Sequence, residues 1–223
     1  MRYLLLIFYV IFFPKIAIAA YDMKEYFPLE GSWTYMLIED NKSSEEKVES
    51  YAKEVIGDIE TKKFIYSEDR YECWFIDTDG VKQMKEFDKD EYLIYKPPIL
   101  VFPAIEVGIA KEFLTNYDSH RSDGSKTGIS AMVKDNIRLD SVEDVKTPAG
   151  KFLNCLKFVL SSRVEGSDGY EQDDCVVWLA PNTGIVKNTC IHTDGADDGG
   201  GEISTETRVL ISATIEGKKI GGR

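Results

Sequence analysis

Apolar and polar residues alternate with a period of two along most of this chain. The clearest run is Ile203 to Ile215. Thr205, Thr207, Val209, Ile211, Ala213 and Ile215 fall on one face, and Ser204, Glu206, Arg208, Ser212 and Thr214 on the other, with Leu210 out of phase. A period of two belongs to a β-strand, and a wet face opposite a dry one predicts an antiparallel sheet covered on one side. Aromatic and β-branched residues predict further strands at Ser32–Glu39, Lys63–Ser67, Arg70–Ile76 and Val81–Phe87. Asp77-Thr78-Asp79-Gly80 reads as a hairpin turn between the last two, because glycine accepts positive φ. Glu91–Tyr95 is another strand. Pro97-Pro98 breaks the ladder, since proline cannot donate to it, Ile99–Phe102 follows, and Pro103 ends it. Strands resume at Lys111–Tyr117 and Gly128–Leu139, around a polar loop at Ser119–Lys126.

The charged stretch Ser43–Ile59 also suits a helix. However, Val48, Ser50 and Ala52 alternate with Glu49, Tyr51 and Lys53, and Gly57 interrupts the run, so a strand is the preferred reading. A weak echo links Pro28-Leu29-Glu30-Gly31-Ser32 to Pro103-Ala104-Ile105-Glu106-Val107-Gly108, each before a strand with aromatics. It would mark two sub-sheets of one domain. The Gly- and Lys-rich tail, residues 217–223, is expected to be flexible.

The first 19 residues read as a secretory signal peptide. Arg2 supplies the charge, Tyr3–Phe13 an apolar core of 11 residues, and Ala17-Ile18-Ala19 the cleavage site. That core falls short of the roughly 20 residues of a spanning helix. No cysteine follows the cleavage site, so a lipidated N-terminus is not expected. No later run is long enough to cross a membrane, and residues 20–216 are read as one β-rich domain. The chain has 27 Lys+Arg and 39 Asp+Glu. The leader carries Arg2 and Lys15 and no acids, leaving 25 against 39, a net charge of −14. Such a charge repels phosphate backbones, so nucleic acid is excluded as a partner.

Four cysteines in an exported chain suggest two disulfides. Two turns, Pro148-Ala149-Gly150 and Pro181-Asn182-Thr183-Gly184, set the registers around them. If Ala180 pairs with Ile185, opposed residues sum to 365 and Cys175 faces Cys190. Facing residues in an antiparallel pair are close enough to bridge. The competing pair, Cys155–Cys175, misses its register by five, since that hairpin closes near Ser167-Asp168-Gly169 with a sum of about 335. Cys73 is then left for Cys155. The spacing fits no zinc site.

Tyr26-Phe27-Pro28-Leu29, Gly31-Ser32-Trp33-Thr34-Tyr35, Pro97-Pro98-Ile99-Leu100, Val145 to Phe152 with Asn154-Cys155-Leu156-Lys157, and Trp178-Leu179-Ala180-Pro181 with Gly184-Ile185-Val186-Lys187 carry a resemblance. Together they resemble a family of exported bacterial proteins of unknown function, often lipoproteins, related to the LolA-like lipoprotein carriers. The resemblance implies an all-β fold: one large curved antiparallel sheet, half-barrel or open barrel, with at most a short helix. It implies no active site. This chain departs from the pattern in lacking a lipobox cysteine and in having Gly108-Ile109-Ala110 where a second aromatic is expected.

Three groups are candidates for chemistry. His120 and His192 have no nucleophile motif beside them and read as surface residues. Asp194, Asp197, Asp198 and Glu202 lie in a Gly-rich loop and offer oxygen ligands for calcium, although the spacing is not that of an EF-hand. Trp33, Tyr35, Trp74 and Trp178 would present an apolar groove for a lipid or acyl chain, or simply fill the core. A hydrolase built on Asp173 and Asp174 is disfavoured, because adjacent strand residues point to opposite faces. The sequence therefore predicts a non-catalytic periplasmic or secreted module, without a cofactor, binding an apolar ligand. The alternative is an interaction subunit of an envelope assembly that adds its edge strands to other sheets.

Overall fold

The computed structural model describes residues 20–165, 169–196 and 201–222; the expected signal peptide lies outside them. A four-residue helix, α1 (Met23–Tyr26), opens the described chain, its first turn capped by the Asp22 carboxylate on Lys24 N–H at 3.0 Å. Thirteen strands follow: β1 (Gly31–Glu39), β2 (Lys42–Ile56), β3 (Ile59–Ser67), β4 (Arg70–Ile76), β5 (Gly80–Asp88), β6 (Glu91–Pro103), β7 (Ala110–Arg121), β8 (Lys126–Thr147), β9 (Gly150–Glu165), β10 (Gly169–Ala180), β11 (Gly184–Ala196), β12 (Gly201–Ile215) and β13 (Lys218–Gly221). Each pairs antiparallel with the next, and β1 also pairs with β12, from Ser32↔Thr214 to Glu39↔Glu206. That last pairing closes β1–β12 into an up-and-down barrel, the closed form of the curved sheet that the sequence implies. β1 and β7, which follow the two echoing segments, stand half a ring apart.

The charged stretch after Lys42 is a strand, as its alternation predicts. The β4–β5 turn falls at Asp77–Asp79, with Gly80 at φ +142°, where a Cβ would run into the Phe102 carbonyl. Pro97-Pro98 does not end its strand. β6 continues to Pro103, but its ladder with β7 stops at Lys96↔Asn116, and its register with β5 slips between Gln83↔Ile99 and Lys85↔Ile94. The tail expected to be flexible contains β13, which pairs with Ser212–Ile215.

A barrel of about eight strands is just filled by its own side chains, while one of sixteen or more leaves a channel. Twelve strands fall between, and the two ends of this barrel solve the problem differently. At one end Phe27 inserts among Phe64, Trp74 and Phe102, with ring centroids 5.4, 5.5 and 5.8 Å away. Trp33 stacks on Phe64, and Phe102 packs against Phe158. The β8–β9 hairpin bends across this same end, where Ala149 N–H donates to the Leu210 carbonyl at 3.1 Å. Trp33 donates its indole N–H to the Thr183 carbonyl at 2.7 Å, and Asn182 N–H donates to the Glu25 carbonyl at 2.6 Å. Those bonds seat α1 and the β10–β11 turn as a plug.

At the opposite end, where β7 turns into β8, no counterpart of this plug is found among the described residues, and this is called the open end. The alternation in β12 is correspondingly inverted relative to expectation. Glu206, Arg208 and Leu210 face inward, opposite Glu39, Leu37 and Tyr35, while Ile203 is 74% exposed. A bulge between Thr34 and Tyr35 then shifts the phase, so that Ala213 and Ile215 take over the interior. Leu210 was out of phase for this reason. A barrel too wide to fill has a wet inside, so polarity alone did not identify the outer face.

Candidate functional site

Register defines the inner wall, because residues directly opposite across an antiparallel ladder share a face. Leu139, Phe158 and Val177 form one inward row, continued by Asn188 and Arg208. The next row toward the open end is Ile137, Leu160, Cys175, Cys190 and Glu206. Above it run Asp135, Ser162, Asp173, His192 and Ser204, and then Val133, Val164, Glu171, Asp194 and Glu202. Apolar rows thus give way to acidic ones, and the Cys175–Cys190 disulfide sits at the seam.

That bridge is the one the register predicts, with Cα atoms 4.1 Å apart. The turn behind it differs by one residue. Ala180 pairs with Gly184, not Ile185, and a bulge between Trp178 and Leu179 restores the register that aligns the cysteines. Gly184, at φ +88°, closes the turn in a conformation that favours glycine. Opposite Cys175 on β9 stands Leu160, not Cys155. The second expected disulfide does not form: Cys73 and Cys155 are free, buried thiols. Cys73 belongs to β4, beside Glu54 Oε2 at 3.8 Å, whereas Cys155 is on β9 in the plugged end near Tyr26. Burial pushes both thiols up to about 11.

The candidate aromatics separate. Trp33, Tyr35 and Trp74 line a cavity of about 50 Å³ with Phe27, Val48 and Phe64. That space holds a few waters by volume and no acyl chain. Trp178 lies outside the barrel, its indole N–H on Glu143 Oε1 at 2.6 Å, with the Lys157 and Lys187 ammonium groups over its ring.

Larger spaces lie at both ends: a groove of about 820 Å³ outside the plug, bordered by Lys24, Glu30, Ile215 and Lys219, and a second space in the wall toward the opposite end. This second pocket, of about 640 Å³, is bounded by Tyr117, Ala131, Val164, Tyr170, Glu171 and Asp194. Burial, and then the Glu171 carboxylate, hold the Tyr117 phenol above its usual range, and both residues border this pocket. Of the calcium candidates, Asp194 and Glu202 face each other across β11–β12, while Asp197 and Asp198 lie outside the described residues. Among the described residues no group of three or more His, Cys, Asp or Glu is placed to hold a metal ion. His192 lies in an inward row, its Nδ1 2.6 Å from Asp173 Oδ1; His120 stacks on Tyr92 on the outer face. Asp174 points the other way and accepts from the Gln172 side-chain amide at 2.8 Å, as strand geometry requires.

The sequence reading missed the charges inside. Arg208 Nε lies 3.0 Å from Glu46 Oε2 and 3.1 Å from Glu206 Oε1, ion pairs without hydrogen-bond alignment. Tyr66 O–H and Trp74 N–H both donate to Glu72 Oε2, at 2.7 and 3.0 Å. Glu86 faces Glu72 across the β4–β5 ladder, and burial together with that like charge raises it to about 7. Burial also raises Glu46, despite Arg208, and Asp135, despite a hydrogen bond from Ser162. Asp135 was the legible one: it occupies the phase of Val133, Ile137 and Leu139, an acid within an apolar stripe.

No protein-family model and no curated protein matches this chain. A solved structure described as a "putative lipoprotein", from Parabacteroides distasonis, aligns with 85% of this chain and 98% of its own, at 12% identity and a TM-score of 0.39.

Proposed function

We propose that this protein is a non-catalytic binding module that works outside the cytoplasm and receives its ligand through the open end of the barrel. The observation that carries this reading is the asymmetry of the lumen: plugged and packed to about 50 Å³ at one end, with a pocket of about 640 Å³ at the other. The latter is within the usual range for small-molecule sites. The Cys175–Cys190 disulfide fits an oxidising compartment. A cleaved leader over residues 1–19 would deliver the chain there, as a periplasmic or secreted protein.

A closed antiparallel barrel can itself cross a membrane, but its outer face must then be an apolar band about 25 Å tall. Here Lys47 and Glu49 of β2 and Arg138 of β8 are exposed on the outside. Each would cost on the order of 2–4 kcal/mol at a bilayer midplane for the basic residues. No helix among the described residues is long and apolar enough to cross a membrane.

Lipid carriage of the LolA-like kind finds less support than a polar ligand, since the aromatics expected to form an acyl groove are packed against the plug. Strand addition has little edge to work with, because β1–β12 close into a ring and leave unpaired edges only at the four-residue β13 and where the β6–β7 ladder stops at Lys96↔Asn116, among the described residues. An interaction subunit would have to use a face of the barrel. Native mass spectrometry of gently purified protein tests the reading. A small polar adduct, lost when Ala131→Trp blocks the mouth, is the expected result. No adduct, together with tight binding of a fluorescent fatty acid, would defeat it.

A further inference from the structure

The open end is short of positive charge. Deeper in the lumen, Arg208 of β12 answers Glu46 and Glu206, and Arg70 of β4 lies near Glu46 and Glu86. Nearer the mouth, the inward positions of β8–β12 carry Asp135, Glu171, Asp173, Asp194 and Glu202, and of these five only Asp173 has a basic partner, His192. The neighbouring basic residues Lys134 and Arg163 face outward, opposite each other. Asp135 is the sharpest case. It is 5% exposed, it projects from the inward face two inward positions below Ala131 of the pocket wall, and its Oδ2 has no hydrogen-bond partner. A buried carboxyl oxygen left unpartnered costs about 1–3 kcal/mol, and more when charged. Such an oxygen is a place for a ligand or a bound water to answer.

The ligand's shape follows from the spacing. Successive inward rows are about 7 Å apart along a strand, so Asp135 and the Glu171–Asp194 row cannot converge on one ion. No cluster among the described residues is compact enough for a metal. The aromatic face of Tyr117, in the inward phase of β7, borders the same space and suits alkylammonium groups, whereas the Tyr170 ring is already covered by the Arg163 guanidinium at 3.7 Å.

We infer that the mouth of the barrel binds an extended organic cation of the aliphatic polyamine class, with one ammonium group on Asp135 and another at the Glu171–Asp194 rim. This rests on the mouth being the binding site and adds the ligand's chemistry. Burial that raises Asp135 is consistent with it, since a bound cation would pull that carboxyl down.

Isothermal titration of spermidine into the disulfide-intact protein, at low and at moderate salt, tests the inference. Saturable binding is expected, weakened tenfold or more by Asp135→Asn and by added salt, and unchanged by Asp174→Asn on the outer face. Asp135→Asn should at the same time raise the thermal midpoint of the unliganded protein at pH 8, because it removes an unpartnered carboxylate. That combination separates a lost ligand contact from a damaged fold. If Asp135→Asn does not fold, Glu171→Gln must give the same tenfold loss. Absence of saturable heat at millimolar spermidine, equal affinity in the variants, or calcium chloride displacing spermidine stoichiometrically would each overturn the inference. A neutral or anionic adduct in native mass spectrometry, abolished by Ala131→Trp, would overturn it while leaving the mouth as the binding site.

Discussion

The two halves of the barrel share one wall and differ in what occupies it. In the plugged half, Phe27 of the plug meets Phe64, and Phe102 meets Phe158, each at a ring-centroid distance of 5.4 Å. In the open half the same strands present Asp135, Glu171 and Asp194 to a space they do not fill. The plugged half stabilises the fold by burial. The open half is held in place by the strands that continue upward from it, so it can carry groups that destabilise. Stability in one half permits chemistry in the other.

The largest expected effect tests that division directly. Phe27→Ala, in the plug, should cost about 3–5 kcal/mol in denaturant unfolding, whereas Tyr117→Ala at the mouth should cost markedly less. Equal costs would mean that the plug is not the core. Next comes the seam: Cys190→Ser opens a loop with a sequence separation of 15. The expected loss is about 3 kcal/mol, measured against the oxidised protein in urea; a loss no larger than that of Asp174→Asn would refute a structural role for the bridge.

A third test is electrostatic. Glu86 is raised to about 7 when folded, above its ordinary value. Folding therefore favours the protonated form: the penalty is absent below the ordinary glutamate pKa, grows as pH rises toward 7, and then levels off. Glu86→Gln should stabilise the protein by on the order of 2–3 kcal/mol at pH 8 and by nothing at pH 4. A pH-independent difference would show that the Glu72–Glu86 pair is not buried as described. The smallest effect is on the outside, where Trp178→Phe loses the bond to Glu143 and should cost about 0.5–1.5 kcal/mol, with ligand binding unchanged. Loss of binding would bring Trp178 back as a site residue.

Much of this wall was legible in the chain. Turn chemistry and period-two alternation located most of the strands, and two turns were enough to align Cys175 with Cys190 even though a bulge had to correct one of them. What could not be read was which side faced in. Alternation assigns residues to faces but does not say which face is the interior when the ring is too wide for its side chains to fill. Ser204, Glu206 and Arg208 therefore read as a solvent face, and Ile203 as a core residue. Nor did composition reveal that Cys73 and Cys155 lie in different environments, since that depends on where the hairpins end up around the ring. Of the calcium candidates, Asp194 and Glu202 fall in the acidic mouth as members of a rim row, and Asp197 and Asp198 lie outside the described residues.

The plug also sets a direction. α1 and β13 both border one groove at the plugged end, which Lys24, Glu30, Lys219 and Ile220 line. A tether, a fusion partner or a support joined at α1 or at β13 is attached behind the barrel. Held there, the protein would turn its mouth away from the point of attachment and toward the surrounding medium.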